Sequence, residues 1–154
     1  MSTKAVRFVN YRNGIELAGN FFLPSDFDEQ HKYPAIIVTH PGGGVKEQTA
    51  GFYAEELSKL GYITLAYDAS YQGESGGTPR YLADPFFRSD DNSVAADYLL
   101  GLPYVEEEEL GILGICAGGG NAVNTACGDH RLRCVATVSA MNVDPAGRQH
   151  GADQ

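Results

Sequence analysis

The sequence predicts an α/β fold: an N-terminal hairpin followed by a mainly parallel sheet flanked by helices. Three observations carry this. Two strand-like runs joined by a turn dipeptide open the chain, short apolar runs then alternate with segments of helical periodicity, and glycines cluster where the apolar runs end. At 154 residues the chain has the size of one domain with room for a real core. Hydrophobic residues at 43% and charged residues at 20% set most of it apart from disordered sequence.

The opening runs, 4–9 and 15–23, flank Arg12-Asn13-Gly14, and Asn-Gly supplies the positive φ angles of a tight hairpin. Pro34-Ala35-Ile36-Ile37-Val38-Thr39 is almost continuously apolar, as a strand covered on both faces must be, and it ends at His40-Pro41-Gly42-Gly43-Gly44. Ala50, Tyr53, Ala54, Leu57 and Leu60 recur at helical spacing, with Gly61 placed as a C-cap glycine. A second buried strand over 62–67 leads into the glycine-rich loop from Asp68 to Gly77. Val94, Ala95, Tyr98, Leu99 and Leu102 mark a second helix, starting between Ser89 and Ser93. Glu106 to Glu109 reads as a solvated acidic turn before the strand Leu110 to Ile115. A third helix is expected from Ala117 to about Cys127, and a last strand from Cys134 to Ser139. From Asp144 to Gln154 the apolar pattern disappears, so the expected organisation is one partial domain over 1–143 and a disordered polar tail over 144–154.

Eleven Lys and Arg against twenty Asp and Glu give a formal charge of −9, which repels phosphate backbones and anionic headgroups. Nucleic acid and membranes are excluded as expected partners. The cysteines, Cys116, Cys127 and Cys134, are odd in number and lack C-x-x-C spacing, so neither a disulfide framework nor a metal site is expected. No apolar run suits a signal segment or a membrane span, and the expected location is the cytoplasm.

The segment that carries chemistry is Gly114-Ile115-Cys116-Ala117-Gly118, at the junction of an apolar strand and a helix. A side chain presented there sits on a sharp, strained turn, and the crossing backbones demand small residues two before and two after it. A helix opening at Ala117 aims its amides and the positive end of its dipole at the sulfur, which favours negative charge there. Cys116 therefore reads as an activated nucleophile, whereas Cys127 and Cys134 read as core residues. Nucleotide loops fail on residue identity: Gly120 stands where a P-loop needs Lys, and no G-x-G-x-x-G window occurs over 111–120.

With these motifs in view, the chain resembles an α/β-hydrolase of the dienelactone-hydrolase-like group, with a G-x-C-x-G elbow. His40-Pro41-Gly42-Gly43-Gly44 resembles the family's oxyanion loop, and Asp68 with Gly73-Glu74-Ser75-Gly76 resembles the loop bordering the site after the next strand. The resemblance covers about Lys4 to Val143. It implies that Cys116 attacks an ester, thioester or lactone carbonyl, and that the amides of Ala117 and of Gly42 or Gly43 hold the oxyanion. It implies no cofactor and a small acyl substrate as partner. His40 is then a support of its loop, Asp68 a brace, and Tyr67, Tyr71 and Tyr81 are candidates for lining the cleft.

The family's acid and histidine follow later strands, and only one strand is expected after Cys116. His31, His130 and His150 match no catalytic position, and Asp144 lies one strand too early for the acid, so no triad partner is carried over. The last strands of the family sheet are expected to be missing, which weakens hydrolysis and leaves an apolar edge open to self-association. Two other readings stay open: acyl transfer by the same nucleophile, and a non-catalytic module that binds through the surviving cleft or the edge.

Overall fold

The computed structural model describes residues 2–143, so the expected tail over 144–154 lies outside the described residues. Strands β1 (Ser2–Asn10) and β2 (Ile15–Leu23) form the antiparallel hairpin, in a register that sets Asn10 opposite Ile15. Gly14 makes the turn at a φ of 75°, and its amide returns to the Asn10 carbonyl at 2.7 Å. The chain continues through β3 (Tyr33–Thr39), α1 (Thr49–Ser58), β4 (Ile63–Tyr67), α2 (Pro85–Leu100), β5 (Val105–Ile115), α3 (Ala117–Gly128) and β6 (Cys134–Val138). The sheet order is β1-β2-β4-β3-β5-β6, with β4, β3, β5 and β6 mutually parallel. The predicted α/β architecture is the one observed.

Each central strand buries both faces, which is why its sequence is apolar without alternation. Ile37, Leu65 and Ile112 face a core closed by Val94, Ala95 and Leu99 of α2 and Ala122 of α3. Their neighbours Val38, Ala66 and Leu113 face a second core against Ala50 and Ala54 of α1. None of the helices among the described residues is long and apolar enough to cross a membrane.

Several expectations are corrected. Helix α2 starts at Pro85, not between Ser89 and Ser93, because the Asp84 carboxylate accepts from the Phe86 amide at 2.8 Å and Pro85 suits the first turn. That turn escaped periodicity because Phe86 is exposed. The acidic run Glu106 to Glu109 is not a turn but the first half of β5: Val105 pairs with Tyr33, and Glu107 to Glu109 are exposed beyond the covering helices. Cys127 and Cys134 are exposed, not core. Cys134 lies on β6, where residues 134–137 are exposed because β6 is an edge strand; Cys127 lies on the outer side of α3.

Among the described residues no further strand lies beyond β6, an apolar run, Cys134-Val135-Ala136-Thr137-Val138, at the end of the sheet. Such an edge templates pairing with another strand. The 154-residue chain on its own is expected to show concentration-dependent association in sedimentation velocity, relieved by Ala136→Lys. A single monomeric species up to high concentration would overturn this.

Candidate active site

Cys116 is the residue between β5 and α3, with φ 55° and ψ −121°. A β-carbon in this left-handed region costs about 1–3 kcal/mol, and such strain persists only where the surroundings over-determine it. The surroundings here do so. The Cys116 amide donates to the Val138 carbonyl at 2.9 Å, and the Cys116 carbonyl accepts from Gly119 at 2.9 Å and Met141 at 3.0 Å. The elbow is thus pinned to β6 and to the chain that follows it.

The requirement for small flanking residues is met literally. A β-carbon on Gly114 would lie 2.3 Å from the Gly118 carbonyl oxygen, and one on Gly118 would lie 2.6 Å from the carbonyl oxygens of both Thr39 and His40. Gly118 therefore lets the first turn of α3 press against the end of β3. The same crowding accounts for Gly119 and Gly120, whose β-carbons would strike Ala140 and the Met141 carbonyl.

That close approach brings the loop after β3 to the elbow. The Gly42 β-position is 3.5 Å from the Ala117 methyl, and both residues line a cavity of about 250 Å³ together with Arg88, Asn121, Met141 and Val143. Gly44 has its amide on the Pro41 carbonyl at 3.0 Å, which leaves Gly42 and Gly43 as the loop's candidate donors. Of these two, Gly42 is at the cavity and Gly43 is not among its lining residues.

His40 is buried beneath this loop. Its Nε2 accepts from the Ala69 amide at 3.1 Å, so the ring proton is on Nδ1, donating to the Pro41 carbonyl at 2.6 Å. Arg88 Nη2 donates to the His40 carbonyl at 2.5 Å. Burial, reinforced by the Arg88 charge, pushes the His40 imidazole down to about 3. With both nitrogens engaged, the ring supports the loop and is not placed as a base. Because the folded value lies below the unfolded one, the unfolded chain binds the proton first on acidification. Stability contributed by neutral His40 is therefore complete above about pH 6.5 and lost progressively toward pH 3, by up to about 1.4 kcal/mol per pH unit. A flattened slope between pH 6 and 4 in His40→Gln, by denaturant titration, is the expected result.

Asp68 does more than brace its own loop. Its fully buried carboxylate accepts from the Lys46 amide at 2.7 Å, Lys46 Nζ at 2.9 Å and the Glu74 amide at 2.9 Å, tying the loop after β4 to the loop after β3. Lys46 Nζ also meets Glu47 at 2.5 Å and Glu74 at 2.8 Å. Burial lowers the Lys46 pKa, but the three carboxylates outweigh it and the net shift is upward. Sequence reading missed Lys46, because a lone Lys beside a glycine run gives no sign of the carboxylate that buries it.

The tyrosine expectations are corrected. Tyr67 is a core residue bonded to Asn92 at 2.5 Å, since β4 is covered on both faces. Tyr71 packs on Phe87 with centroids 5.4 Å apart, Tyr81 is largely exposed, and none of the three lines the cavity. His31 and His130 precede β3 and β6, at the N-terminal ends of the parallel strands, whereas Cys116 follows the C-terminal end of β5, about 16 Å or more away along the strands.

Residues 22–146 match the model of the Dienelactone hydrolase family. The chain belongs to that family. It is 50% identical over 144 residues to the uncharacterized protein YcjY of Escherichia coli, covering 93% of this chain and 47% of that protein. It is 31% identical over 129 residues to thiohydrolase aneE of Aspergillus aculeatus, covering 84% of this chain and 39% of that protein. The crystal structure of the alpha/beta hydrolase GrgF from a Penicillium species superposes with a TM-score of 0.85 at 24% identity, over 97% of this chain and 51% of that one, and shows the shared α/β-hydrolase fold. The chain thus spans under half the length of these curated relatives and about half of that structure.

Proposed function

We propose that the chain carries the nucleophile half of an acyl-transferring hydrolase acting on carboxylic esters, thioesters or lactones. The observation that carries this reading is Cys116 held at φ 55° on a strand-to-helix turn, with Gly42 and Ala117 meeting beside it. The Cys116 sulfur attacks the acyl carbonyl, and the amides of Ala117 and of Gly42 or Gly43 take the oxyanion. The tetrahedral species collapses to an acyl-cysteine as the alcohol or thiol leaves. Water then releases the acid, or an alcohol or thiol takes the acyl group.

Release of the acyl group calls for a base. Among the described histidines none serves: His40 has both nitrogens engaged, and His31 and His130 are at the opposite end of the strands from Cys116. The 154-residue chain is therefore expected to stop at the acyl-cysteine, since a positioned base contributes ~10²–10⁴-fold. A relative named as a thiohydrolase favours a thioester among the three substrate classes.

The test is intact-mass analysis of the chain after p-nitrophenyl acetate, with the adduct mapped to its peptide. One acetyl group on Cys116, with a p-nitrophenol burst of matching size, supports the reading. Mapping is essential because Cys127 and Cys134 are exposed and accept reagent on their own account. An adduct spread equally over the three thiols in folded protein would favour the non-catalytic module.

A further inference from the structure

Gly42 and Ala117, whose amides are proposed for the oxyanion, each take that amide from a peptide whose carbonyl is held by two donors. The Pro41 carbonyl accepts from His40 Nδ1 at 2.6 Å and from the Gly44 amide at 3.0 Å, and the Cys116 carbonyl accepts from the Gly119 and Met141 amides. In a trans peptide the N–H points opposite to the C=O. The Gly42 N–H therefore points away from the His40 ring, the Ala117 N–H points away from the body of α3, and neither donates to a described residue.

One atom sets how these two peptides sit against each other. The His40 carbonyl oxygen, one residue before Pro41, would lie 2.6 Å from a β-carbon on Gly118, one residue after Ala117, so the loop after β3 and the first turn of α3 press together there. Arg88 of α2 holds that same oxygen through Nη2 at 2.5 Å, and its Nη1 lies 3.4 Å from His40 Nδ1, so the guanidinium faces both the carbonyl and the ring of one residue. Its charge beside the ring opposes a second proton, which keeps Nε2 an acceptor for the Ala69 amide. Arg88 is 3% exposed, and burial works against its own charge. Asp91, the carboxylate whose charge favours it, bonds instead to Asn10 and Ser70. A buried cation without a paired carboxylate is unfavourable for stability, and what it holds here is the root of the loop that carries Gly42.

We propose that Arg88 is a positioning residue for acylation: by fixing the His40 carbonyl it sets the Pro41–Gly42 peptide so that the Gly42 amide meets the acyl oxygen together with the Ala117 amide. This rests on the reading of Cys116 as the acyl-accepting nucleophile. Arg88 acts through backbone and touches neither the sulfur nor the acyl group. It also selects between the two candidate donors of the loop. Gly42 shares the peptide whose carbonyl the His40 ring holds, whereas the Gly42–Gly43 peptide has no such tie, so Gly42 is the donor that Arg88 sets.

Two reactions of Cys116, each mapped to its peptide, test this side by side. Acylation by p-nitrophenyl acetate passes through an oxyanion and releases p-nitrophenol, whereas iodoacetamide alkylates the sulfur by losing iodide from a saturated carbon and needs no oxyanion hole. Arg88→Met is expected to slow acylation of Cys116 at least about tenfold while alkylation stays within about twofold, because losing one oxyanion donor outright costs about 10²–10³-fold. Arg88→Lys keeps a cation and a donor for the His40 carbonyl, and is expected to recover at least about a third of the wild-type acylation rate. A merely structural side chain would move both reactions together. A smaller loss in Arg88→Met, a fall in alkylation matching the fall in acylation, or an Arg88→Lys chain as slow as Arg88→Met would each overturn the role. Wild-type Cys116 that is acylated faster than Cys127 and Cys134, with Arg88→Met no slower, would overturn the positioning role alone. Wild-type Cys116 acylated no faster than those two exposed thiols would overturn the nucleophile reading and this role with it.

Discussion

Cys116→Ala is expected to abolish the p-nitrophenol burst and the acetyl adduct on the peptide of residue 116, leaving only the slow background reaction of the exposed Cys127 and Cys134 thiols. The effect is large because the substitution removes the atom that forms the bond, while adding no strain to the fold. Alanine keeps the β-carbon that already sits at φ 55°, and the three backbone hydrogen bonds that pin the elbow do not involve the sulfur. The variant should therefore unfold at the wild-type denaturant midpoint. Cys116→Ser separates two contributions: the oxyanion amides remain, but a hydroxyl without a base is a far weaker nucleophile than a thiol, and the burst should disappear with it. Retention of more than about a tenth of the burst by folded Cys116→Ala would move the reaction to another group, with Cys127 and Cys134 the first candidates because both are exposed.

Most of the fold was legible because burial on both faces leaves a direct mark: Ile36-Ile37-Val38 and Leu110-Gly111-Ile112-Leu113 have little choice but to be central strands. The elbow was legible for a different reason. Gly114 and Gly118 are fixed by backbone collisions of 2.3 Å and 2.6 Å, so local sequence reports a tertiary crossing. What stayed hidden depends on partners distant in sequence. Lys46 acquires its meaning 22 residues later at Asp68, and Arg88 acquires its own 48 residues earlier at His40. The β5 start was hidden because Glu106 to Glu109 lie in an irregular stretch between the Val105–Tyr33 and Leu110–Ala35 pairs, with Glu107 to Glu109 exposed, so composition there reports solvation and not secondary structure. Cys134 on β6 was misjudged because edge position is a property of sheet order, which a short apolar run does not encode.

Lys46→Met is expected to destabilise the chain by about 3 kcal/mol or more and to slow acylation of Cys116 as well. Breaking a buried ion pair by removing one partner typically costs about 3–5 kcal/mol, because the other charge stays buried and uncompensated. Asp68 is in that position: its side chain is fully buried, and without the ammonium it keeps only the Lys46 and Glu74 amides. Glu47 and Glu74 are more than half exposed and lose little, as exposed pairs do. The loss of acylation follows from topology, since Lys46 ties the loop that carries Gly42 to the loop after β4. The decisive comparison is a double-mutant cycle by urea titration. Asp68→Asn in the Lys46→Met background removes the stranded charge, so the double variant should be more stable than Lys46→Met alone, with a coupling of at least about 1 kcal/mol. Added salt should not restore Lys46→Met, because the pair is closed to solvent. Additive effects, or a loss under about 1 kcal/mol for Lys46→Met, would show that the clamp behaves like a surface pair and does not position the loop.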